Sequence, residues 1–327
     1  MEPKVFKQQY EHMLRGYLHE SSFRISPSTY DLSIEKAVVK HLQSQGFTAD
    51  FIQNSMPTIH CAAWIATSTY PFTPLRVREA IAIYTALMVM VEDSSKEILA
   101  DLKGLQARLL LKQSQPSRLL EASVQFLYTV RELYGPFIGD MITKSTLDFF
   151  TVCVIEQEYE GMLNLTPSSP DFPYYIRLKS GLAEVYAGFA FPQALFPEES
   201  FLQIFLPAMP DMIRYIGCGN DFLSFYKESV VSNERMNYIY NHSRAHQATP
   251  IQSLQETCSA MVNSIRNIRQ TLAVNLQIQS NIEQLFHGYV MYHFGASRYR
   301  LSELGIREVD EVRDKVHFPS HDEWQNR

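Results

Sequence analysis

Three oxygen-bearing side chains recur every four residues in the stretch 219–228, GNDFLSFYKE: Asn220, Ser224 and Glu228. A helix turns by about 100° per residue, so this spacing places the three side chains in one stripe. Amide, hydroxyl and carboxylate oxygens suit Mg²⁺, which keeps some waters and often shares its shell with substrate phosphates. A solvated helix face would show the same spacing, but the rest of this stretch is apolar or aromatic. We therefore expect a metal site that is completed by a diphosphate.

A second acidic group ends the longest apolar run of the chain, AIAIYTALMVMV at 80–91. Glu92 and Asp93 are adjacent, and Glu97 follows Asp93 by four residues, so Asp93 and Glu97 are expected to share a helix face. Adjacent carboxylates at the end of a buried helix repel each other unless a cation lies nearby. This cluster is either a second metal-binding segment or an ordinary helix end that emerges into solvent.

Basic residues elsewhere could complete a site for a diphosphate. The candidates are Arg177, Lys227 and Arg298, with Tyr299 beside the last. Arginine matches phosphate oxygens with paired N–H donors, and lysine adds a point charge. With the two acidic groups, they predict metal ions that bridge carboxylates to a diphosphate.

The elements that must position these residues are helices. Apolar residues recur at steps of three and four in four long segments, whereas strand-like alternation with Asn-Gly or Asp-Gly turns is absent. The segments are 28–47, 117–135, 140–162 and 254–274. Several helices lack a polar face, which indicates a bundle around an apolar cavity. We expect one all-α domain over 1–327, with the charged tail 307–327 as a lid or mobile segment.

Composition excludes several classes of function. The chain has 327 residues, of which 46% are hydrophobic, and a net charge of -6 without a long basic run, which disfavours a nucleic-acid partner. The longest apolar run is too short to span a bilayer, and no secretory signal is recognised. Four widely separated cysteines indicate a reducing compartment. We expect a cytoplasmic protein without an integral membrane segment.

Four segments resemble motifs of class I terpene synthases, and of the fungal trichodiene synthase-like sesquiterpene cyclases in particular. NDFLSFYKE (220–228) resembles their N-D-x-x-S-x-x-x-E magnesium motif, and VEDSSKE (91–97) is similar to their aspartate-rich motif. YYIRLKSGLAEVYAGFAFP (174–192) resembles the segment of their diphosphate sensor. LFHGYVMYHFGASRYRLSEL (285–304) resembles their C-terminal segment with its Arg-Tyr pair.

The resemblance implies a class I terpenoid-synthase bundle that ionises farnesyl diphosphate and cyclises the carbocation to a C15 terpene, with three Mg²⁺ ions. The N-D-x-x-S-x-x-x-E residues would bind one ion and the acidic cluster two. Arg177 would sense the diphosphate, with Ser180 and Gly181 at a helix break, and Lys227, Arg298 and Tyr299 would hold it. A homodimer is also implied. The family usually has aspartate where this chain has Glu92, so the bridging ligand is either Glu92 or Asp93.

Aromatic residues are candidates for the wall that holds the hydrocarbon, since their faces attract a carbocation. The predicted cavity residues are Trp64, Tyr84, Phe149, Phe150, Gly181, Phe189, Phe222, Tyr289 and Tyr292. Three histidines, His60, His287 and His293, could act as bases, but structural roles fit them better. Two alternatives are a prenyltransferase, which should carry two D-D-x-x-D motifs, and a catalytically inactive binding protein on the same fold.

Overall fold

The protein is built from helices joined by short turns. The computed structural model describes residues 3–159, 162, 165–232, 234–235 and 237–316, and this part of the chain contains no β-strand. Its first nine α-helices are α1 (Pro3–Glu20), α2 (Leu32–Ser44), α3 (Ala49–Asn54), α4 (Met56–Thr69), α5 (Leu75–Asp93), α6 (Leu99–Lys103), α7 (Leu105–Leu110), α8 (Arg118–Arg131) and α9 (Pro136–Tyr159).

The second half contributes the helices that carry most of the predicted motifs. They are α10 (Phe172–Ser180), α11 (Ala183–Gly188), α12 (Glu198–Phe205), α13 (Met209–Phe225), α14 (Tyr238–Ala245), α15 (Pro250–Thr271), α16 (Leu276–Gly295) and α17 (Arg307–Lys315). A π-helical turn, Tyr226–Val231, continues α13. Short 3₁₀ turns are Leu206–Ala208, Leu272–Val274, Ser297–Tyr299 and Leu301–Leu304. The prediction of an all-α fold is confirmed.

The four predicted helical segments correspond to α2, α8, α9 and α15. Local capping explains where three of them begin. The side chains of Asp31, Ser117 and Thr249 each accept a hydrogen bond from a backbone N–H in the first turn that follows. Thr249 and Gln252 bond reciprocally as a capping box. Helix α9 begins at Pro136, four residues before the predicted segment, because the first turn of a helix does not need the missing N–H.

Helices α4 and α16 pack with their backbones in contact. A Cβ atom on Gly288 would lie 1.8 Å from the Ser68 carbonyl oxygen, and one on Gly295 would lie 2.7 Å from Trp64 Nε1. Trp64 Nε1 also donates a hydrogen bond of 3.2 Å to the Met291 carbonyl. Only glycine fits at position 288, so this residue fixes the spacing of two helices that flank the candidate site.

The charged tail is helical in its first part. Val309 and Val312 of α17 are fully buried, so 307–315 packs against the core instead of extending into solvent. The rest of the predicted lid, 317–327, lies outside the described residues. Within those residues, no helix is long and apolar enough to cross a membrane.

Candidate active site

One cavity of about 180 Å³ gathers most of the predicted polar residues. Its walls come from helices α4, α5, α9, α10, α11, α13 and α16, from the break between α10 and α11, from the π-helical turn after α13 and from the turn after α16. Its polar and charged lining consists of Thr85, Glu92, Arg177, Ser180, Asn220, Ser224, Lys227, Glu228, Arg298 and Tyr299. Its remaining lining consists of Ile65, Met88, Val89, Phe149, Gly181, Leu182, Tyr186, Ile216, Tyr289 and Tyr292.

The lining of the cavity changes from apolar to polar along two helices, α5 and α13. On α5, Thr85 and Met88 are 3% and 2% exposed, and Glu92, one turn further, is exposed. On α13 and its π-helical extension, Ile216 is buried and Glu228 is partly exposed. Charged side chains therefore lie at the open end of the cavity, and apolar side chains lie at its closed end.

The predicted oxygen stripe lines this cavity, although its helix is not regular. Asn220 and Ser224 lie on α13, whereas Glu228 lies in the π-helical turn. A π-helical turn bonds residue i to i+5 and is wider than an α-turn, so the ideal four-residue stripe does not extend to Glu228 unchanged. All three side chains still line the cavity with Glu92. These hard oxygen donors fit partial coordination of Mg²⁺.

The acidic cluster divides between the cavity and the surface. Glu92 lines the cavity, whereas Asp93 and Glu97 do not. Helix α5 ends at Asp93, and turns follow, so the predicted shared helix face of Asp93 and Glu97 is wrong. Asp93 is also displaced from Glu92 by about 100° around the helix. In the described part of the chain, no group of three or more His, Cys, Asp or Glu side chains is arranged to hold a metal ion.

Glu92 combines solvent contact with a surrounding wall of protein. Its side chain is exposed at the open end, but the protein atoms around it disfavour its charge and raise its pKa. Arg298 is the strongest opposing influence and lowers the pKa, whereas neighbouring Asp93 raises it. A cation beside Glu92 would therefore favour the carboxylate.

Arg177 is tied to the oxygen stripe. Its Nε lies 2.8 Å from the Asp221 carboxylate, and its Nη2 donates to Asn220 Oδ1 at 3.1 Å and to the Gly217 carbonyl at 3.3 Å. Burial disfavours the charge of Arg177, but the paired Asp221 carboxylate outweighs it, and the pKa of Arg177 is raised. The amide oxygen of Asn220 has two lone pairs, so a metal can still use it beside the arginine.

The chain breaks between α10 and α11 next to this arginine. Leu182 has φ 49°, ψ 20°, the left-handed region that L-residues with side chains rarely adopt. A Cβ atom on Gly181 would lie 2.1 Å from Arg177 Nη1 and 3.1 Å from the Arg177 carbonyl oxygen. The absent side chain at position 181 therefore makes room for the observed position of the guanidinium.

Two further cations face the cavity without a carboxylate partner among the described residues. Neither Lys227 nor Arg298 has a salt bridge there, and the Arg298 guanidinium lies 5.8 Å from the ring centroid of Tyr299. Burial raises the pKa of the Tyr299 hydroxyl, which donates to Tyr292 Oη at 3.2 Å. The open end thus offers two cations and neutral phenolic hydroxyls to an anion.

Of the predicted cavity residues, Phe149, Gly181, Tyr289 and Tyr292 line the cavity. The other five do not line it and pack in the core instead. Three of the five are direct chain neighbours of lining residues, and adjacent helical residues point about 100° apart. These pairs of core and lining neighbours are Trp64 and Ile65, Tyr84 and Thr85, and Phe150 and Phe149.

The remaining two aromatic candidates belong to separate aromatic clusters. Phe189 packs edge-on against Tyr84 and Tyr186, with ring centroids 5.3 and 5.7 Å away. Phe222 lies two residues from Asn220, about 200° around the helix. It therefore faces α1, where its ring centroid is 5.5 Å from that of Tyr10.

The three histidines have structural partners and lie outside the cavity lining. His60 Nδ1 is 2.9 Å from the fully buried carboxylate of Glu35. The backbone N–H of Arg24 donates to His287 Nδ1 at 3.4 Å. His293 Nδ1 donates to the Tyr289 carbonyl at 2.8 Å.

Sequence reasoning missed several residues that line the cavity, most of which are aliphatic. Helix periodicity could have found Thr85, Met88 and Val89, because they precede Glu92 by seven, four and three residues on one face of α5. The same rule finds Ile216, four residues before Asn220. Ile65 carries no such signal, because no predicted polar site residue lies on α4 as a reference. Leu182 and Tyr186 lie within 174–192, so the resemblance of that segment was the signal that could have found them.

Comparison with known proteins identifies the family. Residues 18–322 match the trichodiene synthase family. The chain belongs to this family. Among curated members, it is similar to the (E)-beta farnesene synthase of Metarhizium brunneum, with 55% identity over 316 residues, 97% of this chain and 96% of that protein. It is 30% identical over 284 residues to a longiborneol synthase of Gibberella zeae, covering 85% of this chain and 82% of that protein.

Solved structures support the same fold. The linalool/nerolidol synthase of Streptomyces clavuligerus superposes with a TM-score of 0.61 at 12% identity, over 83% of this chain and all of that one. The predicted resemblance and the terpenoid-synthase fold are therefore confirmed. Membership of the trichodiene synthase family, with its terpene synthase relatives, makes this protein a class I terpene synthase.

Proposed function

We propose that this terpene synthase is a magnesium-dependent sesquiterpene synthase that ionises farnesyl diphosphate. The observation that carries the proposal is the arrangement of the cavity. Three cationic side chains, Arg177, Lys227 and Arg298, meet oxygen donors of α5 and α13 at the open end, and apolar residues line the closed end. An anionic head with a hydrocarbon tail matches this division.

The head would be bound by the cations. Lys227 and Arg298 lack carboxylate partners among the described residues, and Arg177 would exchange its contact with Asn220 for diphosphate oxygens. Tyr299 would add a neutral O–H donor by exchanging its bond to Tyr292 for a diphosphate oxygen. Bound Mg²⁺, held by Glu92, Asn220, Ser224 and Glu228, would supply further positive charge for the leaving group. Asp93 and Glu97, which do not line the cavity, would join only if their segment moved.

The reaction breaks the allylic C–O bond, and its electron pair leaves with the diphosphate. The cations stabilise the negative charge that develops there. The hydrocarbon would lie against Met88, Phe149 and Ile216, where water that could quench the carbocation is excluded. Tyr289 and Tyr292 present aromatic rings to the same cavity, and each cation–π contact is worth about 1–2 kcal/mol in a dry site. Loss of a proton to the diphosphate then gives a neutral hydrocarbon.

The product is proposed from the relatives. The relative with 55% identity is named for (E)-β-farnesene, whose carbon skeleton is open-chain, and this supports direct proton loss from the first carbocation. The sequence resemblance to trichodiene synthases supports cyclisation before proton loss. We prefer the open-chain product because the similarity to the (E)-beta farnesene synthase extends over 97% of this chain.

The test is incubation of purified protein with farnesyl diphosphate and Mg²⁺, read by gas chromatography–mass spectrometry. We expect an open-chain C15 hydrocarbon that disappears in Glu228→Ala and without Mg²⁺. A cyclic C15 product would restore the cyclase prediction. Turnover only with a C10 or C20 diphosphate would refute the C15 substrate. Chain elongation after addition of isopentenyl diphosphate would instead identify a prenyltransferase.

A further inference from the structure

We infer that Asn237 is a positioning residue for the metal ligand Glu228. The inference rests on the proposed magnesium-dependent function. Asn237 lies outside the motifs that sequence reasoning singled out, nine residues after Glu228. Its Nδ2 donates to Glu228 Oε2 at 3.1 Å and to Ser229 Oγ at 2.9 Å.

The carboxamide of Asn237 is fixed from its other side. Asn237 is the N-cap of α14, and its Oδ1 accepts a hydrogen bond of 3.3 Å from Tyr240 N. Exchanging the two amide atoms would place an oxygen against the Glu228 carboxylate and an NH₂ group against a backbone N–H. Both contacts would be repulsive, so the cap determines that the NH₂ group faces Glu228.

The path of the chain after the π-helical turn explains how Asn237 reaches Glu228. The chain after this turn folds back on it: Glu234 N donates to the Glu228 carbonyl at 2.8 Å, and Arg235 Nη1 donates to the Ser229 carbonyl at 2.8 Å. These contacts bring Asn237 beside the carboxylate. The start of α14 is thereby joined to the ligand-bearing turn.

This arrangement resembles the supporting shell of metal sites in general. Hydrogen bonds to a ligating carboxylate fix its orientation, and their loss lowers metal affinity by about 10–100-fold. Oε2 of Glu228 is held by Asn237, whereas none of the described hydrogen bonds involves Oε1. Asn237 would therefore turn a flexible glutamate into an oriented ligand on the cavity wall.

Asn237→Ser separates the two roles of the residue. Serine retains an oxygen for the helix cap, but its shorter side chain lacks the NH₂ donor. The matched control is Asn275→Ser, because Asn275 caps α16 by accepting from Ile278 N and does not line the cavity. If Asn237→Ser does not fold, Asn237→Thr provides a second capping residue without the donor.

The measurement is the melting temperature of the full chain by circular dichroism, titrated with Mg²⁺ at a fixed concentration of inorganic diphosphate. Ligands that bind the folded state raise the melting temperature. We expect Asn237→Ser to melt like the wild type without ligands but to need about 10–100-fold more Mg²⁺ for the same rise. Asn275→Ser should respond to Mg²⁺ like the wild type.

The outcomes separate the two proposals. A wild type whose melting temperature does not respond to Mg²⁺ and diphosphate would contradict the proposed function itself. If Mg²⁺ raises the melting temperatures of the wild type and of Asn237→Ser at the same concentrations, only the role of Asn237 is overturned. A loss of ligand-free stability equal to that of Asn275→Ser, with no change in the Mg²⁺ response, would reduce Asn237 to a helix cap.

Discussion

At the scale of single residues, Gly181 and Arg177 depend on each other. The guanidinium occupies the space that a side chain at position 181 would fill, and it uses that position to reach Asp221 and Asn220. Arg177 therefore keeps this orientation only while position 181 has no side chain. The pair links the helix break after α10 to the oxygen stripe of α13.

Gly181→Ala should displace Arg177 and slow turnover of farnesyl diphosphate. Loss of one well-placed charge donor from an active site typically lowers kcat by about 10²–10³-fold. Gly16→Ala is the control, because a Cβ atom there meets no atom within 4 Å. Steady-state kinetics with a melting curve for each variant tests the expectation. Unchanged kcat in folded Gly181→Ala would show that turnover does not depend on the space at position 181.

At the scale of elements, one face of α5 connects the two ends of the cavity. Thr85, Met88 and Glu92 follow this face, whereas Asp93 points about 100° away. The sequence resemblance left open whether Glu92 or Asp93 is the bridging metal ligand. The helix geometry favours Glu92.

We expect Glu92→Gln to reduce turnover by about 10²-fold or more, as for the loss of one catalytic electrostatic group. Asp93→Asn should reduce it by a much smaller factor, because Asp93 does not line the cavity. Initial rates at several Mg²⁺ concentrations would compare the two isosteric changes. The reverse ranking would assign Asp93 as the main ligand and imply that the end of α5 rearranges.

Adjacent phenylalanines on α9 offer a second test of helix faces. Phe149 lines the cavity, and Phe150 is 1% exposed in the core. Phe149→Leu should change the ratio of terpene products, read by gas chromatography–mass spectrometry. Phe150→Leu should lower the free energy of unfolding in urea by about 1–2 kcal/mol, as is common for core truncations, with the same products. Altered products only in Phe150→Leu would contradict the assigned faces.

Sequence patterns predicted the polar half of the site better than its apolar half. Asn220 and Ser224 were found because oxygen is unusual in an apolar helix, so their type and their spacing both carried information. Trp64 and Ile65 could not be separated, because α4 is apolar on most sides and no polar residue indicates which side faces the cavity. The end of α5 was also misjudged, since no proline or glycine marks a stop after Asp93.

At the scale of the whole molecule, a buried histidine makes stability depend on pH. His293 is 0% exposed, and burial lowers its pKa from 6.5 to about 3. The positive charge of Arg298 also lowers this pKa, whereas the hydrogen bond to the Tyr289 carbonyl raises it. The unfolded chain therefore binds a proton between pH 6.5 and about 3 that the folded protein does not. This contribution to stability is complete above pH 6.5 and decreases as the pH falls.

We expect His293→Phe to lose less stability than the wild type when the pH falls from 7.5 to 5. Urea unfolding at both pH values measures the difference. His12→Gln, at an exposed histidine, is the control and should follow the wild type. Equal pH dependence in His293→Phe and the wild type would show that His293 does not contribute to it.

Assembly is a separate property of the whole molecule. The family resemblance implies a homodimer, and this stays a prediction. Light scattering coupled to size-exclusion chromatography should give a mass near twice that of the 37.7 kDa chain. A mass near that of one chain would contradict the prediction.

The backbone contact at Gly288 limits how this protein can evolve. No substitution at that position leaves α4 and α16 at their present spacing, because even a methyl group would overlap the Ser68 carbonyl. New product profiles must therefore arise from side chains that can change size without separating these helices, such as Met88 on α5 and Phe149 on α9. A library built to diversify the terpene output would keep position 288 constant and vary those two.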